Sequence, residues 1–160
     1  MGENVRYDGG HRYTKLLTER LGDLFDFRPI CPEVGIGMGV PRNPIQLTST
    51  KQGIRVRDID NNSLDFTREL EQFAIACLQE PPEIYGYIFK SRSPSCGVND
   101  VNIYDEAGQL LNSSGTGIHA KAIIETIANL PVADENQLQE IKSIDNYSER
   151  VISYYQSLNR

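Results

Sequence analysis

The sequence predicts a single α/β domain with a three-layer open sheet, mostly parallel, and helices on both of its faces. Strand-like apolar runs alternate along the chain with segments of helical hydrophobic spacing, a pattern typical of α/β proteins. No internal repeat or linker divides the 160 residues. A hydrophobic content of 39% is enough for one buried core in a domain of this length.

The first half of the chain predicts a helix, a buried strand and a hairpin. Leucines recur at helical spacing over 14–25, and a short apolar run over 27–30 follows, which is typical of a buried strand. Apolar and polar residues alternate over 45–48 and again over 54–57. Because the turn-forming segment 51–53 separates these two runs, we expect them to pair as a hairpin.

The second half predicts helices and strands in turn. Cap residues at 61–63 precede a helix over 64–78, and Pro81 and Pro82 stop it. The remaining predicted elements are strands over 85–89 and 101–104, a helix over 118–130 and a polar, amphipathic tail over 135–158.

The charge and the hydrophobic pattern exclude several classes of partner. A net charge of −6 argues against a general nucleic-acid surface or an anionic membrane surface, because nothing offsets the repulsion of phosphate over a broad face. No run of 18 apolar residues and no secretory signal is present in the sequence. We therefore expect a cytoplasmic protein whose three cysteines are reduced.

The cysteines fall into two groups. Cys31 and Cys96 each follow a predicted strand and stand beside a proline, and the carboxyl ends of strands are where α/β proteins place their sites. Lys90 and Arg92 lie just before Cys96. Cys77 lies on the apolar stripe of the helix over 64–78, which predicts a core thiol. A pair of loop thiols without a task remains the alternative for the first two, and zinc is disfavoured because no CxxC pair exists.

Five ordered motifs carry a resemblance. They are RYDGGH at 6–11, CPE at 31–33, PRNP at 41–44, KSRSPSCG at 90–97 and SGTG at 114–117. In this order they resemble the family of uncharacterised-function domains that includes bacterial 2-thiouracil desulfurase. The resemblance extends from residue 2 to about residue 132 and is stronger for the branch often fused to a second uncharacterised domain.

This resemblance implies a non-redox enzyme that removes sulfur from a thiolated small molecule such as a thiopyrimidine. In the family, three cysteines hold a four-iron four-sulfur cluster with one open iron. Matched by motif, Cys31 and Cys96 are expected to be metal ligands. Glu33 is expected to move protons, and Ser93 is expected to hydrogen-bond or orient the substrate. A surface or helix-capping residue is the alternative for Glu33.

The same motifs contain candidate substrate contacts. Lys90 and Arg92 could bind the substrate or neutralise the cluster, and solvated loop cations are the alternative. The segment Gly115-Thr116-Gly117 could direct backbone N–H groups at a substrate oxygen, and a tight turn is the alternative. His119 is expected at the helix surface.

The resemblance also implies a departure from the family pattern. The family's first strand and first cysteine precede the position matched by Gly2, so this chain is expected to lack that strand and to match only two ligands. Either the start was placed too late or the chain is a shortened form without a cluster. The alternative function is a cluster-free binding or interaction module, with zinc or thiol-redox chemistry third. Cys77, on its apolar stripe, is a poor substitute for the absent ligand. His11 is a possible substitute, and a polar loop or helix-cap residue is the favoured interpretation for it.

Overall fold

The structure, a computed structural model, describes residues 2–10, 13–80 and 83–159. The helix-stopping Pro81 and Pro82 and the candidate ligand His11 lie outside these residues. No helix within the described ranges is both long enough and apolar enough to span a membrane. The elements are α1 (Lys15–Gly22), α2 (Pro32–Gly35), β1 (Ile45–Thr50), β2 (Gly53–Asp58), α3 (Thr67–Gln79), β3 (Tyr87–Phe89), β4 (Val101–Tyr104), β5 (Leu110–Gly115), α4 (Ile118–Thr126), β6 (Val132–Asp134) and α5 (Ile141–Leu158).

The strands form two sheets in the described chain. One has the order β2-β1-β4-β5 and the other pairs β3 with β6. The pairings β1–β4 and β3–β6 are parallel, whereas β1–β2 and β4–β5 are antiparallel hairpins. Parallel pairs require a crossover, and α3 and α4 supply the crossovers that bring distant segments side by side.

Helices cover both faces of the β3–β6 pair, which confirms the α/β class and the three layers. Ile88 and Ala133 pack with α1 and α5 in one apolar cluster. Phe89 and Val132, their neighbours along the strands, pack with α3 and α4 in another. Successive strand residues point to opposite faces, so each short strand contributes to both clusters. A third cluster, around Leu47, lies between β1, β2 and α3.

Several sequence predictions are confirmed, and some element boundaries are wrong. The hairpin and the strand over 101–104 are present. The predicted strand over 27–30 is not one, because it pairs with no strand in the described chain. The helix predicted to begin at residue 64 begins at Thr67, because Asp65 instead bridges to Arg57 of β2 and its carboxylate accepts the Thr67 amide. Sequence periodicity missed β5, which is largely exposed, and β6, which has three residues.

Candidate active site

The first cysteine stands at the entrance to a one-turn helix. Cys31 is extended, and Pro32 follows at the start of α2, where its fixed φ favours helix. Glu33 lies in the first turn, and the Cys31 carbonyl accepts the Gly35 amide at 2.8 Å. Gly35 allows close packing on α3, since a Cβ there would lie 2.1 Å from the Phe73 ring. The thiol and the carboxylate are therefore presented from a short, firmly packed turn.

The second cysteine lies in the cysteine loop, residues 90–97, which follows β3. The Ser93 hydroxyl accepts the backbone N–H groups of Ser95 at 3.3 Å and Cys96 at 3.2 Å. The Gly97 amide donates to the Ser93 carbonyl at 2.7 Å. Ser93, which is predicted to orient the substrate, stabilises the turn that carries Cys96 in this structure.

Gly117 brings the start of α4 against the cysteine loop. A Cβ on Gly117 would lie 2.4 Å from the carbonyl carbon of Ser95 and 2.6 Å from the Cys96 nitrogen. The Gly117 amide donates to the Gly97 carbonyl at 2.8 Å, and the Ala120 amide donates to the Ser95 carbonyl at 3.0 Å. Glycine is needed here for the close approach of two backbones.

The other two residues of the glycine segment also contact protein groups. Gly115 ends β5, where a Cβ would lie 2.8 Å from Ile103. The Thr116 hydroxyl donates to the Asn99 side chain at 3.1 Å and accepts the Asn99 amide at 3.3 Å. Of the segment predicted to bind substrate, Gly117 therefore packs on the cysteine loop itself, whereas Gly115 and Thr116 contact residues outside that loop.

A hydrogen-bonded network joins the two cysteine motifs. Glu33 Oε1 accepts the Ser95 hydroxyl at 2.7 Å, and Glu33 Oε2 accepts Arg42 Nε at 2.8 Å. The Ser95 Oγ lies 3.7 Å from the Cys96 sulfur, and Arg42 Nη2 lies 3.9 Å from the Cys31 sulfur. The fold thus gathers Cys31, Glu33 and Cys96 at one place, with Arg42 and Ser95 between them.

The thiols differ in their surroundings. Burial raises the pKa of the Cys96 thiol to about 12; the hydrogen bond from Ser95 opposes this shift, while the nearby Glu33 and Cys31 add to it. Cys96 is therefore protonated at neutral pH unless a cation compensates its thiolate, as a bound metal does. Cys31 is half-buried. Cys77 is buried on α3, as its apolar stripe predicts.

Lys90 is committed to an ion pair. Its ammonium contacts the carboxylate of Glu135, which follows β6. Glu135 also accepts the Ser91 backbone N–H at 2.8 Å and the Ser91 hydroxyl at 2.6 Å. Because β3 and β6 are parallel neighbours, Glu135 lies beside the start of the cysteine loop. Lys90 and Glu135 anchor this end of the loop.

Arg92 faces a cavity beside the cysteine loop. Its φ of 58° is unusual for a residue with a side chain, and its N–H donates to both carboxylate oxygens of Asp100 at 3.0 Å. Arg92 and Pro94 line a cavity of about 220 Å³ between the loop and the starts of β1 and β4. A larger cavity of about 470 Å³ lies along α5 and touches none of the predicted site residues.

His119 is fully buried, so the expectation of a surface residue is wrong. Its Nε2 lies 2.9 Å from the Tyr87 hydroxyl, and its ring packs near Phe73. Burial lowers the pKa of His119 to about 4. The first turn of α4 is enclosed by β3 and α3, and periodicity along one helix cannot reveal this enclosure.

The comparisons with known proteins agree with the motifs. A model of the 2-thiouracil desulfurase family matches residues 1–135. The chain belongs to the 2-thiouracil desulfurase family. A solved structure described as the [4Fe-4S]-dependent thiouracil desulfidase TudS is 30% identical, with a TM-score of 0.62, and the match covers 88% of this chain and 89% of that one. A search of curated proteins found no match.

The donors of this 2-thiouracil desulfurase family member match a cluster site only in part. Cys31 and Cys96 supply two soft sulfur donors at one place, which suits iron. The described residues contain no group of three or more His, Cys, Asp or Glu side chains placed to hold a metal ion. Glu33, the carboxylate of the network that joins the two cysteine motifs, is already paired with Arg42. A three-cysteine ligand set is therefore incomplete within the described residues.

Three residues of this site were not singled out from the sequence. Arg42 lies inside the PRNP motif and Ser95 inside the KSRSPSCG motif. Membership of these motifs was the only indication in the sequence that either residue belongs to the site. Glu135 lies 45 residues from Lys90 and carries no local signal. A contact of this kind follows only from the parallel pairing of β3 with β6.

Proposed function

We propose that this chain catalyses iron–sulfur-dependent, non-redox removal of sulfur from a thiolated small molecule such as a thiopyrimidine. Water replaces sulfur on carbon, so a thiocarbonyl and water give a carbonyl and hydrogen sulfide. Carbon keeps its oxidation state, and no external reductant or oxidant is consumed. The family match and the 30% identical neighbour support this reaction class.

The observation that carries the proposal is the network joining Cys31, Glu33 and Cys96. The thiols of Cys31 and Cys96 are suitable ligands for a soft metal. The Glu33 carboxylate, whose side chain is only 13% exposed, belongs to the same network. A carboxylate held in this way can take a proton from the attacking water and return it to the departing sulfur.

The remaining site residues divide into substrate contacts and supports. Ser93 and Arg92 are proposed to contact the substrate. In the cysteine loop Ser93 is half-buried and Arg92 is exposed. Arg92 also lines the cavity of about 220 Å³, whose lining does not include Cys31, Glu33, Ser93 or Cys96. The donor groups of Lys90 and Gly117 are already taken up by Glu135 and Gly97, so these residues are proposed to hold the loop in place.

The test is turnover of 2-thiouracil by the anaerobically iron- and sulfide-reconstituted chain. Uracil and sulfide should appear in equal amounts. Glu33→Gln keeps the size of the side chain and removes its proton transfer, so turnover should fall by roughly a hundredfold. Glu19→Gln, at a 60% exposed side chain on α1, is the matched control and should be as active as the parent.

A cluster-free binding module is the second candidate, because the described residues hold no group of three or more metal donors. In that case 2-thiouracil would bind without forming uracil, and iron would not be retained after desalting. Calorimetric binding measured beside turnover separates the two functions. Turnover that persists in Glu33→Gln at the parent rate would contradict the role assigned to Glu33.

A further inference from the structure

Arg42 is the most enclosed cation of the site. Its side chain is 5% exposed. Nε donates to Glu33 Oε2 at 2.8 Å, and Nη2 lies 2.6 Å from the same oxygen. Nη1 donates to the Gly39 carbonyl at 2.9 Å, and Nη2 donates to the Val5 carbonyl at 3.0 Å. All three guanidinium nitrogens are therefore in use, and they join three separate segments of the chain.

These contacts divide the two oxygens of Glu33 between different partners. Oε2 is held by Arg42, and Oε1 is thereby turned toward the Ser95 hydroxyl at 2.7 Å. A glutamate side chain has three rotatable bonds, and fixing it costs conformational entropy. Two nitrogens of the arginine fork converge on Oε2 while the Ser95 hydroxyl holds Oε1, so the position of each carboxylate oxygen is set by a different partner. A single point charge supplies no such directional pair of donors.

We propose that Arg42 is a positioning residue for the desulfuration reaction, acting through Glu33. It holds the carboxylate in the one orientation that reaches the cysteine loop, and it ties the segment around Val5 to the Cys31 turn. The role in catalysis rests on the proposed function. The orientation of Glu33 by Arg42 can be measured without it.

The kinetic test compares Arg42→Met and Arg42→Lys with the parent and with Glu33→Gln. Misplacement of a reacting group by about 1 Å costs on the order of a hundredfold, so kcat should fall by about that factor in Arg42→Met while KM changes less than about threefold. Arg42→Lys should recover only part of the loss, because lysine restores charge but not the fork. The double variant Arg42→Met/Glu33→Gln should be no slower than Glu33→Gln alone.

The second test measures urea-unfolding midpoints of the same five proteins, the double variant included, and needs no turnover. Arg42→Met leaves the Glu33 carboxylate enclosed without its counter-charge, so its midpoint should fall further than that of the double variant. Arg20→Met is the matched control, since Arg20 pairs with Asp145 at the surface with 46% and 58% exposed side chains. Its midpoint and activity should stay at parent values.

The outcomes separate this inference from the proposed function. If the parent is inactive but the midpoint of Arg42→Met is lower than that of the double variant, desulfuration is rejected and Arg42 still orients Glu33. An active parent whose Arg42→Met variant keeps parent kcat would overturn the positioning role. If the midpoint shifts of Arg42→Met and Glu33→Gln add up to the shift of the double variant, the two residues are not coupled, whatever the activity.

Discussion

The Ser95 hydroxyl donates a hydrogen bond to Glu33 Oε1 at 2.7 Å across a sequence separation of 62 residues. Ser95 is 1% exposed, and its oxygen also lies 2.9 Å from Ser93 Oγ. Three oxygens from two motifs therefore form a continuous chain. This contact joins the Cys31 turn to the cysteine loop, and the consequences of breaking it can be measured.

Ser95→Ala should weaken both stability and turnover. It removes a buried donor from a carboxylate, and hydrogen bonds to charged groups contribute about 2 kcal/mol. We expect a loss of about that size in the free energy of unfolding, together with a drop in desulfuration of at least about tenfold. Urea denaturation and uracil formation are the measurements. Ser157→Ala, at an exposed serine of α5, should change neither, and a neutral Ser95→Ala would show that the network is dispensable.

Substitutions of the three cysteines should differ in their effect on the iron content of the protein. Cys31→Ser and Cys96→Ser should each lower the iron retained after anaerobic reconstitution, because a hydroxyl is a poor ligand for a soft metal site. Cys77→Ala should keep parent iron and lose about 1 kcal/mol of stability through a small core void. Iron assay and visible absorption distinguish the variants. Loss of iron in Cys77→Ala, with iron kept in Cys96→Ser, would reverse the ligand assignment.

Gly117→Ala should displace the cysteine loop. Its Cβ would meet backbone atoms of Ser95 and Cys96 at 2.4–2.6 Å, and overpacking of this kind costs about 1–3 kcal/mol. Thermal unfolding and iron retention should both decrease. Gly22→Ala is the control, because a Cβ there meets nothing within 4 Å. Equal melting temperatures for the two variants would show that the close approach of the backbones is not needed.

Glu135 should make stability depend on pH. Burial opposes its charge, but Lys90 and Ser91 outweigh burial and lower the pKa of the Glu135 carboxyl below its ordinary value of 4.5. The pKa is lowered in the folded state, so the stabilisation is fully present above pH 4.5 and is lost as pH falls through the folded pKa. Glu135→Gln should therefore be less stable than the parent near pH 7, and the gap should narrow toward pH 3.

Urea unfolding at several pH values between 3 and about 7 checks this prediction. Glu125→Gln is the control, since Glu125 forms only a surface pair with Lys121, with side chains 66% and 58% exposed. The free energy of unfolding of Glu125→Gln should differ little from that of the parent at every pH. A gap between Glu135→Gln and the parent that widened at low pH would have the wrong sign for a stabilised carboxylate.

Much of the fold was accessible from the sequence, because local patterns specify local structure. Alternation of apolar residues marked the hairpin of β1 and β2, and the stripe through Cys77 marked the buried face of α3. The run over 27–30 shows the limit. A strand requires a neighbour with free backbone groups, and the sequence of the run does not reveal whether one is present.

The candidate site divides in the same way. The sequence by itself determined which chemical groups are available: two thiols after strand-like runs, a carboxylate two residues from one of them and serines around the other. Only the tertiary structure decided that Arg42 and Ser95 lie between them, that Glu135 takes up Lys90 and that His119 is enclosed. The reason is physical: residue type and short-range spacing fix chemistry and local conformation, whereas contacts between distant segments depend on how strands pair and helices pack.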